Sequence, residues 1–393
     1  MKCAEKCLRK WYIRLKNRKK KVLFFDYSLL FVVLVLIIFG LVMIYSTSSY
    51  EANLEYKDAA YYLKKQLFAT VLGIVVMVLL ARIDYRFWEK FAIWGIIISA
   101  ILIVLVKSPL GRTVNGASRW IYIGSLSIQP AEVAKIAVIL FMASILSRIG
   151  KKGIQKFKGI VTVLILPIII AGMVYALTQN LSSAIIIAGI AIVMWFVASP
   201  DYKKFVILLT LVVIVAAVGI YLAHSDILGF RGERIKAWLD PEAYASGTGF
   251  QTLQALYAIG SGGLFGKGIG QSLQKLGFIP EAQNDMIFSI ICEELGLAGA
   301  IAVLVLFIIL IWRCMVIANN AQDLFGALLV TGVMAHFAIQ VILNVAVVTN
   351  TIPNTGITLP FISYGGTSML FLLAEIGLVL SVGRGISFEE PNE

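Results

Sequence analysis

Four carboxylates fall inside IPEAQNDMIFSIICEELG, residues 279–296: Glu281, Asp285, Glu293 and Glu294. A glycine-rich stretch precedes them and a long apolar run follows. Asp285, with Asn284 beside it, stands where an apolar helix would begin. Aspartate is a good helix cap, but position 288 is Phe, so no capping box forms. Asp285 is therefore a candidate cap without a capping box. Glu293 and Glu294 follow two turns later, where a bare carboxylate is costly, and are expected to face the protein interior or a wet cavity. A second charged pair lies in QPAEVAK, 129–135. Pro130 suits the first helical position, Glu132 sits near the positive end of the helix, and Lys135 at i+3 can pair with it. Pairing would offset the roughly 2.5–3.5 kcal/mol that a lysine costs inside a span. Glu375 is a further acid in the last apolar run, with no role assigned.

Other chemistries are poorly represented. No Ser-His-Asp or Cys-His arrangement exists, and His224 and His336 are isolated. Cys3, Cys7, Cys292 and Cys314 have neither metal-ligand spacing nor a disulfide framework. GSGGLFGKGIGQS (260–272) fails as a nucleotide loop, because Ser261 and Gly268 stand where a Walker loop needs Gly and Ser or Thr. It reads instead as a tightly turned outer loop near the membrane, whose amides could form an anion nest. What remains is carboxylate, lysine, arginine and glycine. That set suits proton abstraction and anion handling, and does not suit acyl transfer through a covalent nucleophile.

The elements that must position these groups are membrane helices. The chain is 60% hydrophobic and 14% charged, with mean hydropathy +0.90. Its apolar runs give ten candidate spans at 27–46, 66–82, 89–106, 132–149, 159–177, 181–198, 204–223, 286–312, 324–348 and 361–383. The fold class is all-α, a polytopic membrane protein. Residues 1–26 form a basic arm, 27–384 the membrane domain and 385–393 a short tail. The arm reads as a cytoplasmic anchor rather than a nucleic-acid contact, because the first span follows at once. That span is too long for the h-region of a cleaved signal peptide. An even count puts both termini in the cytoplasm. The basic loop RIGKKGIQKFK (148–158) then lies inside, and 107–131, the large loop 224–285 and 349–360 lie outside.

Four blocks identify a resemblance. They are NGASRWIYIGSLSIQPAEVAKIA (115–137), AWLDPEAYASGTGFQTLQALYAIGSGGLFGKGIGQSLQK (237–275), IPEAQNDMIFSIICEELGLAGA (279–300) and PNTGITLPFISYGGTSML (353–370). The chain resembles the SEDS family of FtsW, RodA and SpoVE, and is nearer FtsW and SpoVE. The resemblance implies a ten-helix bundle in the bacterial plasma membrane and polymerisation of lipid II into peptidoglycan at the outer face. An acceptor hydroxyl would attack the anomeric carbon of a polyprenyl-pyrophosphate donor with inversion. It implies a class B penicillin-binding protein as transpeptidase partner, together with other division proteins. Carried over by position, the family's essential aspartate falls on Asp285, expected as general base. Its outer-loop tryptophan falls on Trp120, and its paired acid and lysine on Glu132 and Lys135. Arg119, Lys135 and a divalent cation, Mg or Mn, are candidates to hold the pyrophosphate; no metal ligands are assigned. The chain departs from the family at Asn180, in QNLSSA (179–184), where Pro-Asp-Leu-Gly-Thr is common, and at Ala131, Gln283 and Asn284. The rival functions are a lipid II flippase and a scaffold for the transpeptidase; within the polymerase class, elongation and sporulation compete with division. A flippase should carry polar groups through the full membrane depth, whereas most intramembrane charges here sit toward the outer side.

Overall fold

The computed structural model describes residues 26–386, except 115–116, 124–125, 200–202, 208–209, 211–213, 215–216, 219–220 and 222–229. The basic arm, apart from Asp26, and the tail beyond Ile386 lie outside the described residues, as does most of the span expected at 204–223. The described parts of that span are helical.

The chain forms α1 Tyr27–Tyr56, α2 Tyr61–Arg82, the single turn α3 Arg86–Glu89 and α4 Ala92–Leu105. A small sheet follows, with β1 Gly111–Val114, β2 Ala117–Ile123 and β3 Leu126–Ile128. Then come α5 Pro130–Gln155, α6 Phe157–Thr178, α7 Leu181–Ala198, α8 Phe230–Leu239, α9 Phe250–Gly262, α10 Ile287–Asn319, α11 Leu324–Val348 and α12 Gly366–Gly385. Among the described residues, eight helices are long and apolar enough to cross a membrane: α1, α2, α5, α6, α7, α10, α11 and α12. The molecule is a polytopic, almost wholly helical membrane protein. The expected span 89–106 is shorter than foreseen. The α3 turn separates its first residues, and α4 keeps only 14, about 21 Å at 1.5 Å per residue.

The helix starts follow local chemistry. Asp26 caps α1 by accepting from Leu29 N at 2.9 Å, Asp323 caps α11 through Gly326 N at 2.8 Å, and Pro130 opens α5. Asn180 caps α7, its Oδ1 accepting from Ser183 N at 3.0 Å. The residue that departs from the family pattern thus keeps a structural duty that Asn performs about as well as Asp.

Burial separates the helices into layers. The apolar windows of α12, α11 and α5 are 72%, 67% and 61% buried, whereas those of α2, α6 and α10 are 22–28% buried. The first three therefore form the centre and the second three face lipid. The segment 107–131, read from sequence as an outer loop, contains the antiparallel sheet, in order β1-β2-β3, with Arg112 opposite Trp120. The β-branched and aromatic residues of RWIYI suit a strand.

Candidate active site

Asp285 lies in the turn before α10, one residue ahead of the cap position, which is Met286. No side chain caps α10, so the capping role expected of Asp285 is not what holds it there. Asn344 of α11 fixes its backbone instead: Nδ2 donates to the Asp285 carbonyl at 2.8 Å and to the Ile357 carbonyl at 2.7 Å. This draws the 354–358 segment against the aspartate. Gly356, at φ 71°, faces the carboxylate, and a Cβ there would stand 3.8 Å from Oδ2. The same segment is tied by Asn354 Nδ2 to Gln251 Oε1 (3.0 Å) and by Ser182 Oγ to the Thr355 carbonyl. Burial pushes the Asp285 carboxyl up to about 6. The amides of Asp285 and Met286 and the Arg234 guanidinium oppose the rise, and Glu281 adds to it.

Arg234 of α8 is the cation that acts on Asp285. Its Nη1 donates to the Asn354 carbonyl at 3.4 Å. Arg119 of β2 reaches the Gln179 carbonyl at 3.3 Å. Burial lowers the Arg119 pKa, and the charge of Arg234 lowers it further, so the two guanidiniums converge. Arg119 Nε is buried with no hydrogen-bond partner. Trp120, the next residue on β2, points to the opposite face of the sheet by strand alternation. Beside Arg234 lies a cavity of about 220 Å³, lined by Trp238, Thr248, Gln251, Thr252 and Asn354.

Glu132 and Lys135 pair as expected, Oε1 to Nζ 2.8 Å, and both are buried. Lys135 also donates to Gln340 Oε1 at 3.4 Å. It is engaged by these two groups, and the cation offsetting Asp285 is Arg234 instead. Among the described residues no three His, Cys, Asp or Glu side chains converge to hold a metal. The described residues therefore offer no ligand set for the Mg or Mn named above as a candidate, and no step below is routed through one.

Amides of the glycine-rich stretch, those of Gly266, Lys267 and Gly268, donate to backbone carbonyls. α10 breaks at Gly296 (φ 67°, ψ −167°), which frees backbone groups at membrane depth, and such groups must be satisfied within the protein. Residues 263–268 satisfy them. Lys267 N and Gly268 N donate to the Glu293 and Glu294 carbonyls at 3.0 and 2.9 Å. Leu297 N and Ala298 N donate to the Gly263 and Leu264 carbonyls at 2.9 and 3.0 Å. The carboxylates close the join. Glu293 pairs with Lys267 at 2.7 Å and Glu294 with Lys275 at 2.8 Å, while Ser272 and Ser46 donate to Glu293 and Glu294 in turn. Both glutamates are thereby committed to structure.

Arg234, Gln340 and Asn344 were not singled out in the sequence. The last two had a signal: His336, Gln340 and Asn344 recur every four residues, a polar stripe on one face of an apolar helix.

The chain is thus a polytopic membrane protein with a half-buried aspartate, two neighbouring guanidiniums and a cavity gathered at one end of its bundle. The chain belongs to the FtsW/RodA/SpoVE family of cell cycle proteins, whose model matches residues 27–387. It is 39% identical to a probable peptidoglycan glycosyltransferase FtsW of Trichlorobacter lovleyi, covering 92% of this chain and 94% of that one. It is 40% identical to stage V sporulation protein E of Bacillus subtilis, covering 91% and 97%. Among solved structures it is similar to a chain of a peptidoglycan synthase complex that coordinates polymerization and crosslinking (TM-score 0.77, 26% identity, 92% and 98% covered). It is also similar to the rod shape determining protein RodA of Thermus thermophilus (TM-score 0.66, 26% identity, 93% and 98% covered).

Proposed function

We propose that this protein is a peptidoglycan glycosyltransferase that polymerises lipid II at the outer face of the bacterial plasma membrane, with Asp285 as general base. The observation that carries the reading is the Asp285 carboxyl, held near pKa 6 at the membrane end of α10 beside Arg234. Lipid II keeps its tail in the bilayer and its sugars just outside, so its reacting atoms lie at that level. The acceptor hydroxyl gives its proton to Asp285 as its oxygen attacks the anomeric carbon. The bond from that carbon to the diphosphate oxygen breaks, and the electron pair leaves with the diphosphate. Arg119 and Arg234 are the groups placed to take the developing charge, as preorganised donors do. Lys135, with Glu132, and Trp120 are assigned to substrate binding from the family resemblance.

The division role follows from the similarity to FtsW proteins, and a single-pass class B transpeptidase with other division proteins would complete the assembly, because no soluble peptide-crosslinking domain is visible in the described chain. Mg or Mn, if the reaction uses it, would be brought with the diphosphate. The test is glycan-chain formation from labelled lipid II by purified protein with its transpeptidase. Asparagine should leave the fold intact at 285, since no cap is lost there, yet Asp285→Asn should cut the rate by about 10²–10⁴. Wild-type polymerisation by a well-folded Asp285→Asn protein would refute the assignment. Transbilayer movement of lipid II without chain formation would favour a flippase.

A further inference from the structure

The three central helices, α5, α11 and α12, share a polar chain that runs from the Glu132–Lys135 pair to Glu375. Its links are Glu132 Oε1 to Lys135 Nζ at 2.8 Å, Lys135 Nζ to Gln340 Oε1 at 3.4 Å, His336 Nε2 to Gln340 Oε1 at 2.8 Å and His336 Nδ1 to Glu375 Oε2 at 2.8 Å. All five side chains are buried. Gln340 is the branch point, because its Nε2 also donates to the Thr358 carbonyl at 3.0 Å.

Hydrogen-bond chemistry fixes the orientation of this chain. The Thr358 carbonyl only accepts, so Gln340 must turn its NH₂ toward it. Oε1 then faces Lys135 and His336, and both must donate. His336 therefore carries a proton on Nε2. One further proton lies between Nδ1 and Glu375, as imidazolium with carboxylate or as imidazole with carboxylic acid. Either arrangement is neutral as a pair. Glu132 and Lys135 cancel each other, so the chain places no net charge at hydrocarbon depth, where charge is expensive.

Stability alone does not account for such a chain, because apolar side chains of similar volume often stabilise a core as well or better. Its geometry has a different consequence. Gln340 grips Thr358 while Asn344, one turn further along α11, grips Ile357. Two successive carbonyls of the segment that brings Gly356 against Asp285 are thus pinned from one helix. We propose that His336 and Glu375 are positioning residues: they lock the Gln340 amide, which in turn fixes Lys135 and the 354–358 segment facing Asp285. The consequence for rate rests on the glycosyl-transfer reading; the mechanical coupling does not.

Two readouts separate those claims. Hydrogen exchange of peptides covering 353–359 in the full-length protein should quicken several-fold in His336→Phe and in Glu375→Leu. Glu375→Gln should restore wild-type exchange, because its amide can donate to Nδ1 of a neutral imidazole. Lipid II polymerisation with the transpeptidase present should fall about 10–100-fold in His336→Phe, as misplacement by about an ångström does. The double variant His336→Phe with Gln340→Leu should fall no further than Gln340→Leu alone, because His336 acts through Gln340. Unchanged exchange in both apolar variants, or additive losses in the double variant, would overturn the proposal. So would failure of Glu375→Gln to restore exchange. If exchange responds as expected while the wild-type protein makes no glycan, the coupling stands and the glycosyl-transfer reading fails.

Discussion

A carboxyl that must take a proton from a sugar hydroxyl near neutral pH works best when its pKa lies close to the working pH. Asp285 meets that requirement through burial, and Arg234 keeps it from rising further. The polymerisation rate should therefore climb with pH along an acid limb centred near 6, as Asp285 loses its proton. Arg234→Gln removes the charge that favours the carboxylate, so the limb should move to higher pH while the plateau falls. A pH–rate profile of both proteins checks this, and an unmoved limb would separate Arg234 from the base. The same shift has a sign in stability. The folded pKa of about 6 lies above the ordinary aspartate value of 3.8, so the folded state binds the proton more tightly. Stability from this group is fully present below the unfolded value and is lost as pH rises through about 6. Wild type should gain melting temperature as pH is lowered from 7 toward 4, relative to Asp285→Asn measured alongside it.

At the scale of elements, the break in α10 decides how the outer half of the molecule is held. The backbone exchange between 263–268 and 293–298 sits over two ion pairs, of which Glu294–Lys275 is buried on both sides. Removing one partner of such a pair strands the other charge, at a cost of about 3–5 kcal/mol. Glu294→Leu should accordingly lower the melting temperature sharply, and Lys275→Met in the same chain should restore much of the loss. A double variant no more stable than the single one would mean that the carboxylate matters for another reason. Sequence pattern reads these elements unevenly. Long apolar runs made α1, α2, α5, α6, α7 and α11 legible to within several residues at most ends, since hydropathy alone sets a span. The break at Gly296 was hidden, because it lies inside an apolar run and its cause is a segment thirty residues earlier. The span expected from 361 begins instead at Gly366, after Phe361 takes φ 62° and Ser363 Oγ accepts from Leu359 N. At the site, Asp285 and the Glu132–Lys135 pair were visible as charges in oily surroundings. Arg234 was not, because its meaning depends on the fold bringing positions 119, 234 and 285 together.

For the molecule as a whole, contacts sort the chain ends into two faces. Asp26 pairs with Arg313 at 2.6 Å, near the far end of α10 from Asp285. Arg86 pairs with Asp323 at 2.7 Å, and Gln322 Nε2 donates to the Gly385 carbonyl. Both ends of the described chain therefore lie on one face, with the α2–α3 and α10–α11 connections. Arg119, Gln179, Arg234, Asp285 and Asn354 gather on the other. Even α4, at 14 residues, carries the chain between the faces, from Glu89 to β1. Termini on one face require an even number of crossings, and the site lies opposite them. We propose that the face of the described chain ends is the cytoplasmic one, because RIGKKGIQKFK lies on it and Lys and Arg in short loops favour the inside. On that proposal the site would face outward, where a lipid-linked sugar is polymerised into the wall. Tags that are readable only on one side of the membrane should report residue 153 in the cytoplasm and residue 240 outside it. Position 153 falls at the end of α5 remote from Glu132, and position 240 closes α8 next to Arg234. If both tags reported the same side, the two-face arrangement would be wrong. If the sides were exchanged, the arrangement would survive but Asp285 would face the cytoplasm, and the outer-face polymerase reading would fall with it.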